Sequence, residues 1–254
     1  MYLGGERMKL KILWMYPKLI DLYGDKGNIE ILAWRAKKRG IEIDLVTCDI
    51  GDKVDDLEFD ICFMSGGTDK DQIVVSDDLR TRKDMLVEAA ESGVMFLLIC
   101  EGYQLWGKHY VDRLGRKIDG LGMADFYTEP SSGERCVGDV LVKVDLDGEM
   151  VILAGFENHS EETKGVVTPL GEVVLGCGNE RSGGYEGYFE GGIVGTYMHG
   201  PFLAKNPEMA DWFIRKGLAR RYGEVELETL NDWMELGAKR NIVDRKKRLI
   251  SASM

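Results

Sequence analysis

Residues 94–104 read VMFLLICEGYQ, an apolar run that ends in a cysteine. The six residues before Cys100 predict a fully buried β-strand, and the EGYQLWG that follows it predicts a turn into a helix. This order is typical of a nucleophile elbow, in which a sharp strand-to-helix turn lifts a nucleophilic side chain out of the sheet. The helix start and a nearby base would lower the pKa of the thiol, and backbone N–H groups would face its target. The sequence therefore predicts covalent cysteine chemistry at Cys100.

Strand-like and helix-like segments alternate on both sides of this run. In the first half, strands are predicted at 9–16, 41–47, 59–65 and 94–99, with helices at 28–39 and 79–92. Such alternation favours a parallel sheet covered on both faces. In the second half, shorter strands separated by Gly-rich turns are predicted at 137–145, 151–156, 172–175, 185–189 and 193–197, and closing helices at 207–216 and 226–238. The predicted fold is α/β, with a mostly parallel central sheet, flanking helices and additional short strands in the second half.

Length and composition narrow the class of protein. The 254 residues carry a net charge of −11, which argues against nucleic acid as the main partner because phosphates require a positive surface. The apolar runs are too short to span a membrane, and residues 1–11 lack the apolar stretch of a signal peptide. With no low-complexity linker, residues 1–254 are predicted to form a single domain. Residues 218–254 are predicted to be a helical extension, in which 239–248 include six basic side chains.

The five cysteines form no CxxC pair, and the sequence predicts no metal site. Cys48 and Cys62 lie in strand-like apolar runs and are predicted to be small buried hydrophobic residues. An odd number of cysteines without a pairing pattern favours a reduced protein in the cytoplasm.

A cysteine nucleophile needs a base that takes its proton and an acid that protonates the leaving amine. The chain has three histidines. His199 follows a strand-like segment and precedes a Gly-Pro turn, so it lies at a strand end, where catalytic groups of α/β sheets collect. His159 also follows a strand, whereas His109 is predicted about two turns into the elbow helix and exposed to solvent. His199 is therefore the predicted base.

A Gly-Gly pair follows the third predicted strand. Gly66 and Gly67 can serve a tight turn that needs positive φ. They can also serve chemistry, because the backbone N–H of Gly67 can face a developing oxyanion together with that of Glu101. The second interpretation would make Gly67 and Glu101 part of the substrate site, since adjacent strand ends of an open sheet lie side by side.

Together these motifs resemble the class I, triad-type glutamine amidotransferases, which share an elbow of the form Cys-x-Gly-x-Gln. Within that class the chain is similar to the CobB/CobQ-like GatD type, the glutaminase subunit of lipid II isoglutaminyl synthase. The matching motifs span about four-fifths of the chain and are LYGDKGN (22–28), KKR (37–39), SGGTD (65–69), ICEGYQLWG (99–107), GLGMADFYT (120–128), GFENH (155–159) and GTYMHGP (195–201). Many amidotransferases share the elbow, whereas the combination of the other motifs is much more specific.

The resemblance implies a glutaminase with a flavodoxin-like sheet. Cys100 would attack the side-chain amide of glutamine, and His199 would serve the thiol and then the leaving ammonia. Gln104 matches a glutamine-recognition position of the family. Arg135 matches an arginine that helps to hold glutamine, and a guanidinium suits a carboxylate through bidentate bonds.

The chain departs from the family pattern at three positions. Leu98 stands where the common elbow has glycine. Glu101 stands where the related subunit has glycine, and its carboxylate would raise the pKa of the thiol unless it points away. Pro201 replaces the glutamate that commonly follows the histidine as the third triad member. Asp25, Glu157 or a carboxylate of a partner protein would then orient the imidazole, and the sequence leaves these three alternatives open.

A glutaminase of this kind is useful only beside an acceptor site, because free ammonia is mostly protonated near neutral pH. No P-loop, ATP-grasp or Mur-ligase segment is visible in the sequence. The resemblance therefore implies a separate MurT-type, Mur-ligase-like subunit that uses ATP and Mg²⁺, while this chain carries no cofactor. The two would amidate the D-glutamate of the lipid II stem peptide to D-isoglutamine. The basic residues 239–248 are a weak further indication of a protein contact.

Other functions remain as alternatives. Cobyrinate-type amidotransferases also lack the glutamate after the histidine, but they usually carry a fused synthetase with a P-loop. DJ-1/PfpI-like cysteine hydrolases or chaperones use a similar elbow, but they usually have histidine directly after the cysteine, where this chain has Glu101. An inactive interaction subunit is disfavoured by the presence of Cys100, Gln104 and His199.

Overall fold

A computed structural model describes residues 1–3, 6–54 and 58–252 of the chain. The strands are β1 (Tyr2–Leu3), β2 (Glu6–Arg7), β3 (Lys9–Met15), β4 (Glu42–Cys48), β5 (Ile61–Met64), β6 (Met95–Ile99), β7 (His109–Val111), β8 (Lys117–Asp119), β9 (Tyr127–Pro130), β10 (Cys136–Leu146), β11 (Glu149–His159), β12 (Glu161–Lys164), β13 (Gly171–Leu175), β14 (Tyr185–Glu186), β15 (Tyr188–Glu190) and β16 (Ile193–Thr196). The helices are α1 (Gly27–Lys38), α2 (Asp69–Thr81), α3 (Lys83–Glu91), α4 (Glu101–Trp106), α5 (Pro207–Tyr222) and α6 (Trp233–Ala252), and a 3-10 helix spans Phe202–Lys205.

The central sheet has six strands in the order β4–β3–β5–β6–β16–β15. Neighbours are parallel except at the edge, where β15 runs antiparallel to β16. The five parallel strands follow the 2-1-3-4-5 order of flavodoxin-like folds. Every residue of β5 and β6 is buried, which explains why both strands read as continuous apolar runs. The predicted mostly parallel, flavodoxin-like sheet is confirmed.

The carboxyl ends of the parallel strands bring together residues that the sequence singles out. Gly67 follows β5, and Cys100 follows β6. His199 comes after β16, and the segment that follows β3 carries Asp25 to the same edge. Neighbouring parallel strands end side by side, so this edge of the sheet holds the candidate site.

Strands between residues 109 and 186 form two smaller sheets. β10 and β11 are eleven residues each and form a hairpin. The hairpin turns at Asp147 (φ 57°) and Gly148 (φ 90°), whose positive φ angles suit a type I′ turn. β13 and β14 extend this sheet in the order β11–β10–β13–β14, and the other sheet has the order β12–β9–β7–β8. The predicted short strands of the second half are therefore present.

Several of these strands differ from the prediction. β7, β8, β9 and β12 lie in segments that we predicted without strands, because three or four residues are too few to show an alternation. The predicted strand at 185–189 is divided into β14 and β15 at Gly187. The N–H of Gly187 donates to Oδ1 of Asn179 (2.8 Å) instead of continuing a strand.

The predicted helix at 79–92 is two helices, α2 and α3. They meet at Arg82, whose guanidinium forms an ion pair with Asp78 (Nε–Oδ2, 2.6 Å). α2 begins well before the predicted start, after a capping box formed by Thr68 and Asp71. The Thr-x-x-Asp pattern is the sequence signal for this start, but the polar composition of α2 hides its helical periodicity.

The elbow helix α4 is shorter than predicted. It ends at Trp106, so His109 begins β7 instead of lying about two turns into a helix. The ring of His109 stacks on that of Tyr127, with the ring centroids 5.3 Å apart. The predicted helical position of His109 is therefore wrong, and its side chain is half-buried.

A buried ionic cluster attaches the C-terminal part of the chain to α1. Arg35 is 1% exposed and forms ion pairs with Asp211 of α5 (Nε–Oδ1, 2.6 Å) and with Asp232 (Nη1–Oδ1, 2.7 Å). The residues between Tyr222 and Trp233 form no helix, and Asp232 at the end of this segment is held in the cluster. The predicted helix at 226–238 is therefore wrong over its first half.

The predicted boundary at residue 218, where a C-terminal helical extension would begin, stays a prediction. α5 continues through residue 218, where the helical extension was predicted to begin, and ends at Tyr222. The basic tail falls in α6, where Arg245 forms an ion pair with Asp139 (2.8 Å), and the side chains of 246–248 lie outside the described residues. No helix in the described part of the chain is long and apolar enough to cross a membrane.

Candidate active site

Cys100 lies in the sharp turn between β6 and α4. Its backbone has φ 52° and ψ −107°, angles that are rare for a residue with a side chain and are typical of a nucleophile elbow. Its N–H donates to the carbonyl of Thr196 at the end of β16 (2.8 Å), which anchors the turn to the neighbouring strand. The side chain is 4% exposed and contributes to the lining of a cavity. The structure thus has the elbow geometry that the sequence predicts.

His199 lies at the same edge of the sheet, and its side chain is fully buried. Nδ1 is 2.8 Å from Oδ2 of Asp25, and that oxygen also accepts a hydrogen bond from Oγ of Ser65 (3.1 Å). An ionised carboxylate only accepts, so Nδ1 of His199 carries the proton and Nε2 presents a lone pair. This is the orientation that a base for a nearby nucleophile requires.

Of the three sources considered for an orienting carboxylate, the structure brings Asp25 to the imidazole. Glu157 is directed elsewhere. Its carboxylate accepts the N–H groups of Cys177 (2.8 Å) and Gly178 (3.1 Å) and faces Nε2 of His159 at 3.6 Å. A Cys-His-Asp arrangement is therefore complete within this chain.

Neither Gly66 nor Gly67 has a positive φ, so a left-handed turn does not explain them. Both are needed for space, because a Cβ at either position would collide with a neighbouring side chain. A Cβ on Gly66 would lie 3.1 Å from Cβ of Cys100 and 3.3 Å from Cε1 of His199. It would also lie 2.6 Å from Oε2 of Glu101. Three chemically active side chains therefore converge above this glycine, and the interpretation as a positive-φ turn is wrong.

The Glu101 side chain points toward the nucleophile. Its Oε2 accepts the N–H of Gly67 (3.0 Å), the donor predicted to bind an oxyanion. The carboxylate also interacts with its own backbone N–H, the second predicted donor, and with the Cys100 thiol. Burial raises the pKa of the Glu101 carboxyl above its ordinary value, while these donors oppose the rise.

The pKa of the Cys100 thiol is raised well above its ordinary value. Burial is the largest cause, followed by the charge of Glu101 and its contact with the thiol, and then by the charges of Asp25 and Glu161. The pKa-lowering effect expected from the elbow is outweighed in this state. Nε2 of His199 is buried and has no hydrogen-bond partner among the described residues, so the thiol and the imidazole are not paired.

A cavity of about 270 Å³ opens above the elbow. Strand-end and loop residues form one side of it, and residues from β10 to β12 and the β7–β8 turn form the other. Its lining residues are Leu22, Tyr23, Gly67, Thr68, Cys100, Glu101, Arg113, Arg135, Asn158, His159, Ser160 and Glu161. The cavity therefore combines the candidate nucleophile with cationic and anionic side chains.

Arg135 lines the cavity from the residue before β10. Its Nε donates to Oδ1 of Asn158 (2.5 Å), and its Nη2 donates to the Asn158 carbonyl (2.7 Å). A guanidinium has five N–H donors in a planar fork. The contacts with Asn158 thus orient Arg135 and leave donors that suit a carboxylate ligand, as the resemblance implies.

Much of the cavity wall consists of residues that were not predicted from the sequence. Nε of Arg113 donates to Oγ of Ser160 (3.1 Å), and that hydroxyl donates to Oε1 of Glu161 (2.5 Å). On the opposite side, Tyr23 packs against His199, with ring centroids 4.7 Å apart. Ser160 directly follows the GFENH motif and Tyr23 lies in LYGDKGN, so both had a sequence signal, whereas nothing around Arg113 marks it.

Gln104 does not line the cavity, although the resemblance implies a contact with glutamine. Its side chain is 2% exposed, its Oε1 accepts from Gln72 (3.1 Å), and its Nε2 donates to the Tyr197 hydroxyl (3.2 Å). The Tyr197 ring stacks on His159, with the centroids 4.0 Å apart. Gln104 therefore supports the cavity wall from behind, and the geometry does not favour direct recognition.

Cys136 and Cys177 form a disulfide. The prediction of a fully reduced chain is wrong for these two residues, which are 41 positions apart and show no local pairing pattern. Cys48 and Cys62 are free and buried, as predicted. The disulfide lies next to Arg135 in the chain and joins the start of β10 to the loop after β13.

Comparison with known proteins agrees with this geometry. The CobB/CobQ-like glutamine amidotransferase domain matches residues 11–207. The chain belongs to this family. The amidotransferase is 38% identical over 240 residues to subunit GatD of the glutamine-hydrolyzing lipid II isoglutaminyl synthase of Staphylococcus aureus, covering 94% of this chain and 97% of that subunit. The GatD subunit of Streptococcus pneumoniae is 33% identical over 232 residues, covering 90% and 88%.

One further relative and one solved structure are also similar to this chain. The amidotransferase is 31% identical over 223 residues to a probable cobyric acid synthase of Methanothermobacter thermautotrophicus, covering 80% of this chain but 41% of that protein. A crystal structure of a glutamine amidotransferase has a TM-score of 0.50 over 81% of this chain and 98% of its own. At 15% identity that structure shows the shared fold alone. The chain is thus a glutamine-hydrolysing amidotransferase with an α/β fold.

Proposed function

We propose that this amidotransferase is the glutaminase subunit of a lipid II isoglutaminyl synthase, which hydrolyses L-glutamine through a Cys100 thioester and delivers ammonia to a MurT-type ligase. The chemistry rests on one observation, the arrangement of Cys100, His199 and Asp25 at the carboxyl edge of the central sheet. The acceptor is inferred from the two GatD relatives, which are subunits of lipid II isoglutaminyl synthase.

Substrate binding places the glutamine amide above Cys100. Arg135 receives the α-carboxylate through two parallel N–H bonds, and its contacts with Asn158 hold the fork in position. The cavity between Arg135 and the elbow then accommodates the side chain of glutamine. A charge at one end and a reacting amide at the other define the orientation of the substrate.

Thioester formation begins when Nε2 of His199 accepts the thiol proton and the sulfur of Cys100 attacks the amide carbon. The carbonyl electron pair moves onto oxygen, which the backbone N–H groups of Gly67 and Glu101 stabilise. His199 then donates the proton to the amide nitrogen, the C–N bond breaks, and ammonia leaves. Asp25 holds the ring in the required tautomer and stabilises the imidazolium.

Hydrolysis of the thioester reverses these roles. His199 accepts a proton from water as the water oxygen attacks the thioester carbon. The C–S bond breaks, the proton returns to the sulfur of Cys100, and glutamate is released. One glutamine and one water thus become one glutamate and one ammonia.

The ammonia is consumed on a second polypeptide in this proposal. A MurT-type subunit binds ATP and Mg²⁺ and activates the D-glutamate carboxylate of the lipid II stem peptide, which ammonia converts to D-isoglutamine. This chain itself supplies no cofactor. Delivery within a complex keeps ammonia from becoming ammonium before it reacts.

The test measures glutamate and ammonia formed from L-glutamine by the purified chain, alone and with a MurT-type subunit, ATP, Mg²⁺ and lipid II. Formation of amidated lipid II that requires Cys100 supports the proposal. Glutaminase activity without lipid II amidation would place the chain with another synthase. Cobyrinic acid diamide with a cobyrinate-type synthetase is the comparison, since a probable cobyric acid synthase is also similar.

A further inference from the structure

The proposed mechanism uses only the backbone N–H of Glu101, yet its side chain is placed in the centre of the reaction site. Oε2 of Glu101 accepts the N–H of Gly67 at 3.0 Å. The same carboxylate interacts with its own backbone N–H and with the Cys100 thiol. A Cβ on Gly66 would lie 2.6 Å from Oε2, closer than to Cys100 or His199.

The first consequence concerns the oxyanion. The Glu101 carboxylate accepts the N–H of Gly67, one of the two donors that would stabilise a tetrahedral intermediate, and the second donor, its own backbone N–H, is near enough to lower the pKa of the carboxyl. An oxyanion cannot approach them while a second negative charge occupies the same place, since like charges at contact repel strongly in a buried site. The Glu101 side chain must therefore leave Gly67 before Cys100 can react.

The second consequence concerns the thiol. The negative charge beside Cys100 opposes formation of a thiolate. In the same state, Nε2 of His199 is buried and has no hydrogen-bond partner within the described ranges. The arrangement is that of an inactive resting site, with a neutral nucleophile and an unengaged base.

The third consequence concerns the ligand that can displace this carboxylate. A glutamine carboxamide offers a neutral carbonyl oxygen to the N–H of Gly67 and two N–H donors to the displaced carboxylate. The γ-carboxylate of glutamate offers only acceptors and a second negative charge. An anionic side chain at this point therefore favours the substrate over the product.

We propose that the Glu101 side chain is a specificity-determining group of this site: it occupies the oxyanion donors until a carboxamide displaces it, and it repels the carboxylate of glutamate. This inference deepens the proposed function and rests on it. It gives a physical role to the glutamate that replaces the glycine of the related elbow. It also predicts that removing the charge makes the product a better inhibitor.

Other charged groups around the thiol must be separated from this effect. Asp25 and Glu161 also raise the pKa of Cys100. The remaining titratable or charged groups near the thiol are Tyr23, Arg113, Arg135, His159, Tyr197 and His199. Glu161 is the matched control, because its carboxylate lines the cavity and bonds to Ser160 but not to Gly67.

The experiment uses the full chain with Glu101→Gln, Glu101→Gly and Glu161→Gln. The Gln variant removes the charge but keeps an acceptor for Gly67, whereas the Gly variant removes both. Competitive inhibition of glutamine hydrolysis by L-glutamate is the first measurement. We expect inhibition about tenfold tighter in both Glu101 variants, the equivalent of about one unit of pKa in differential interaction, and a smaller change in Glu161→Gln.

Alkylation of Cys100 by iodoacetamide, followed by mass spectrometry across pH, is the second measurement and does not depend on glutaminase activity. Removing a negative charge lowers the pKa of the thiol, so alkylation of the Glu101 variants should begin at lower pH, by about one unit or more. In Glu101→Gly, kcat/KM for glutamine should also rise, because no side chain has to be displaced.

Wild-type glutamate inhibition and a wild-type alkylation profile in both Glu101 variants would overturn the inference. Equal effects in Glu161→Gln would also overturn it, because the cause would then be the overall charge of the cavity. The proposed function fails differently. In that case the wild-type chain releases no glutamate from glutamine under any condition, while the alkylation profile still reports the effect of Glu101 on the thiol.

Discussion

Two regions meet at the cavity and are built in different ways. The first, the strand-end floor, comprises Asp25, Gly67, Cys100 and His199; the second, the recognition wall, comprises Arg113, Arg135, Asn158, Ser160 and Glu161. The floor is largely buried and rests on parallel strands. In the wall, Arg113 and Arg135 are exposed while Ser160 is buried, and these residues lie on β11, on β12 and on the segments beside β7 and β10. The comparison shows that the reacting groups lie within the packed core, whereas the side chains placed for recognition lie on a separate and more exposed part of the molecule.

Cys100→Ala removes the nucleophile at the centre of the strand-end floor and should have the largest effect on glutamine hydrolysis. We expect glutamine hydrolysis to fall by about 10⁴-fold or more, because removal of a nucleophile disables the whole catalytic unit. Ammonia release measures the loss, and circular dichroism checks the fold. A diazo-ketone analogue of glutamine should label Cys100 in the wild type. Labelling of Cys48 or Cys62 instead would contradict the assignment.

Asp25→Asn tests whether the floor is complete within this chain. We expect kcat to fall by about 10²–10⁴-fold, because an asparagine can hold the imidazole in the wrong tautomer, with little change in KM. Glu157→Gln is the comparison, since Glu157 bonds to the N–H groups of the loop at Cys177 and not to His199. A larger kcat loss for Glu157→Gln than for Asp25→Asn would mean that the triad is wrongly assigned.

Arg135→Ala tests the recognition wall. We expect KM for glutamine to rise by about 10–100-fold, the loss of a charge-assisted contact, with kcat changed by less than about threefold because the floor is intact. Arg135→Lys should recover little, since one ammonium cannot reproduce a planar fork. Steady-state kinetics separate the two constants. An unchanged KM in both variants would remove Arg135 from the glutamine site.

Removal of the disulfide should have the smallest effect on glutamine hydrolysis, although it should lower the free energy of unfolding. The double variant Cys136→Ser, Cys177→Ser should lose about 2–4 kcal/mol of unfolding free energy, as is typical when a cross-link is removed. Urea unfolding measures it, and a reducing agent should reproduce it in the wild type but leave the variant unchanged. We expect kcat to stay within about twofold, because the disulfide joins the start of β10 to the loop after β13 and so belongs to the side of the recognition wall. A collapse of kcat would show that the two regions are coupled.

Glutamate inhibition of the Glu101 variants tests whether the strand-end floor takes part in recognition. Glu101 belongs to the elbow by sequence but acts, in our inference, on the choice between substrate and product. If its variants change glutamate inhibition as expected, then recognition extends into the floor. If they do not, the floor serves chemistry alone.

The predictable part of the fold is the part with a repeating pattern. β5 and β6 are buried over their whole length and read as apolar runs, so their order and the elbow at Cys100 follow from sequence. The three- or four-residue strands β7 to β9 and β12 have no such pattern and were missed. The break between α2 and α3 at Arg82 and the start of α6 at Trp233 were also missed, and the ion pair of Asp232 with Arg35, 197 positions earlier, has no local signal in the sequence.

The sequence by itself determined the α/β class, the nucleophile elbow, the strand-end histidine and the family to which the chain belongs, because these follow from local burial patterns and motifs. Only the tertiary structure decided that Asp25 orients His199, 174 positions away. It alone placed the Glu101 carboxylate on Gly67, 34 positions earlier in the chain, and joined Cys136 to Cys177. The physical reason is the same in each case. A hydrogen bond or a covalent bond between distant residues depends on where the packed core brings their side chains, and no local stretch of sequence encodes that distance.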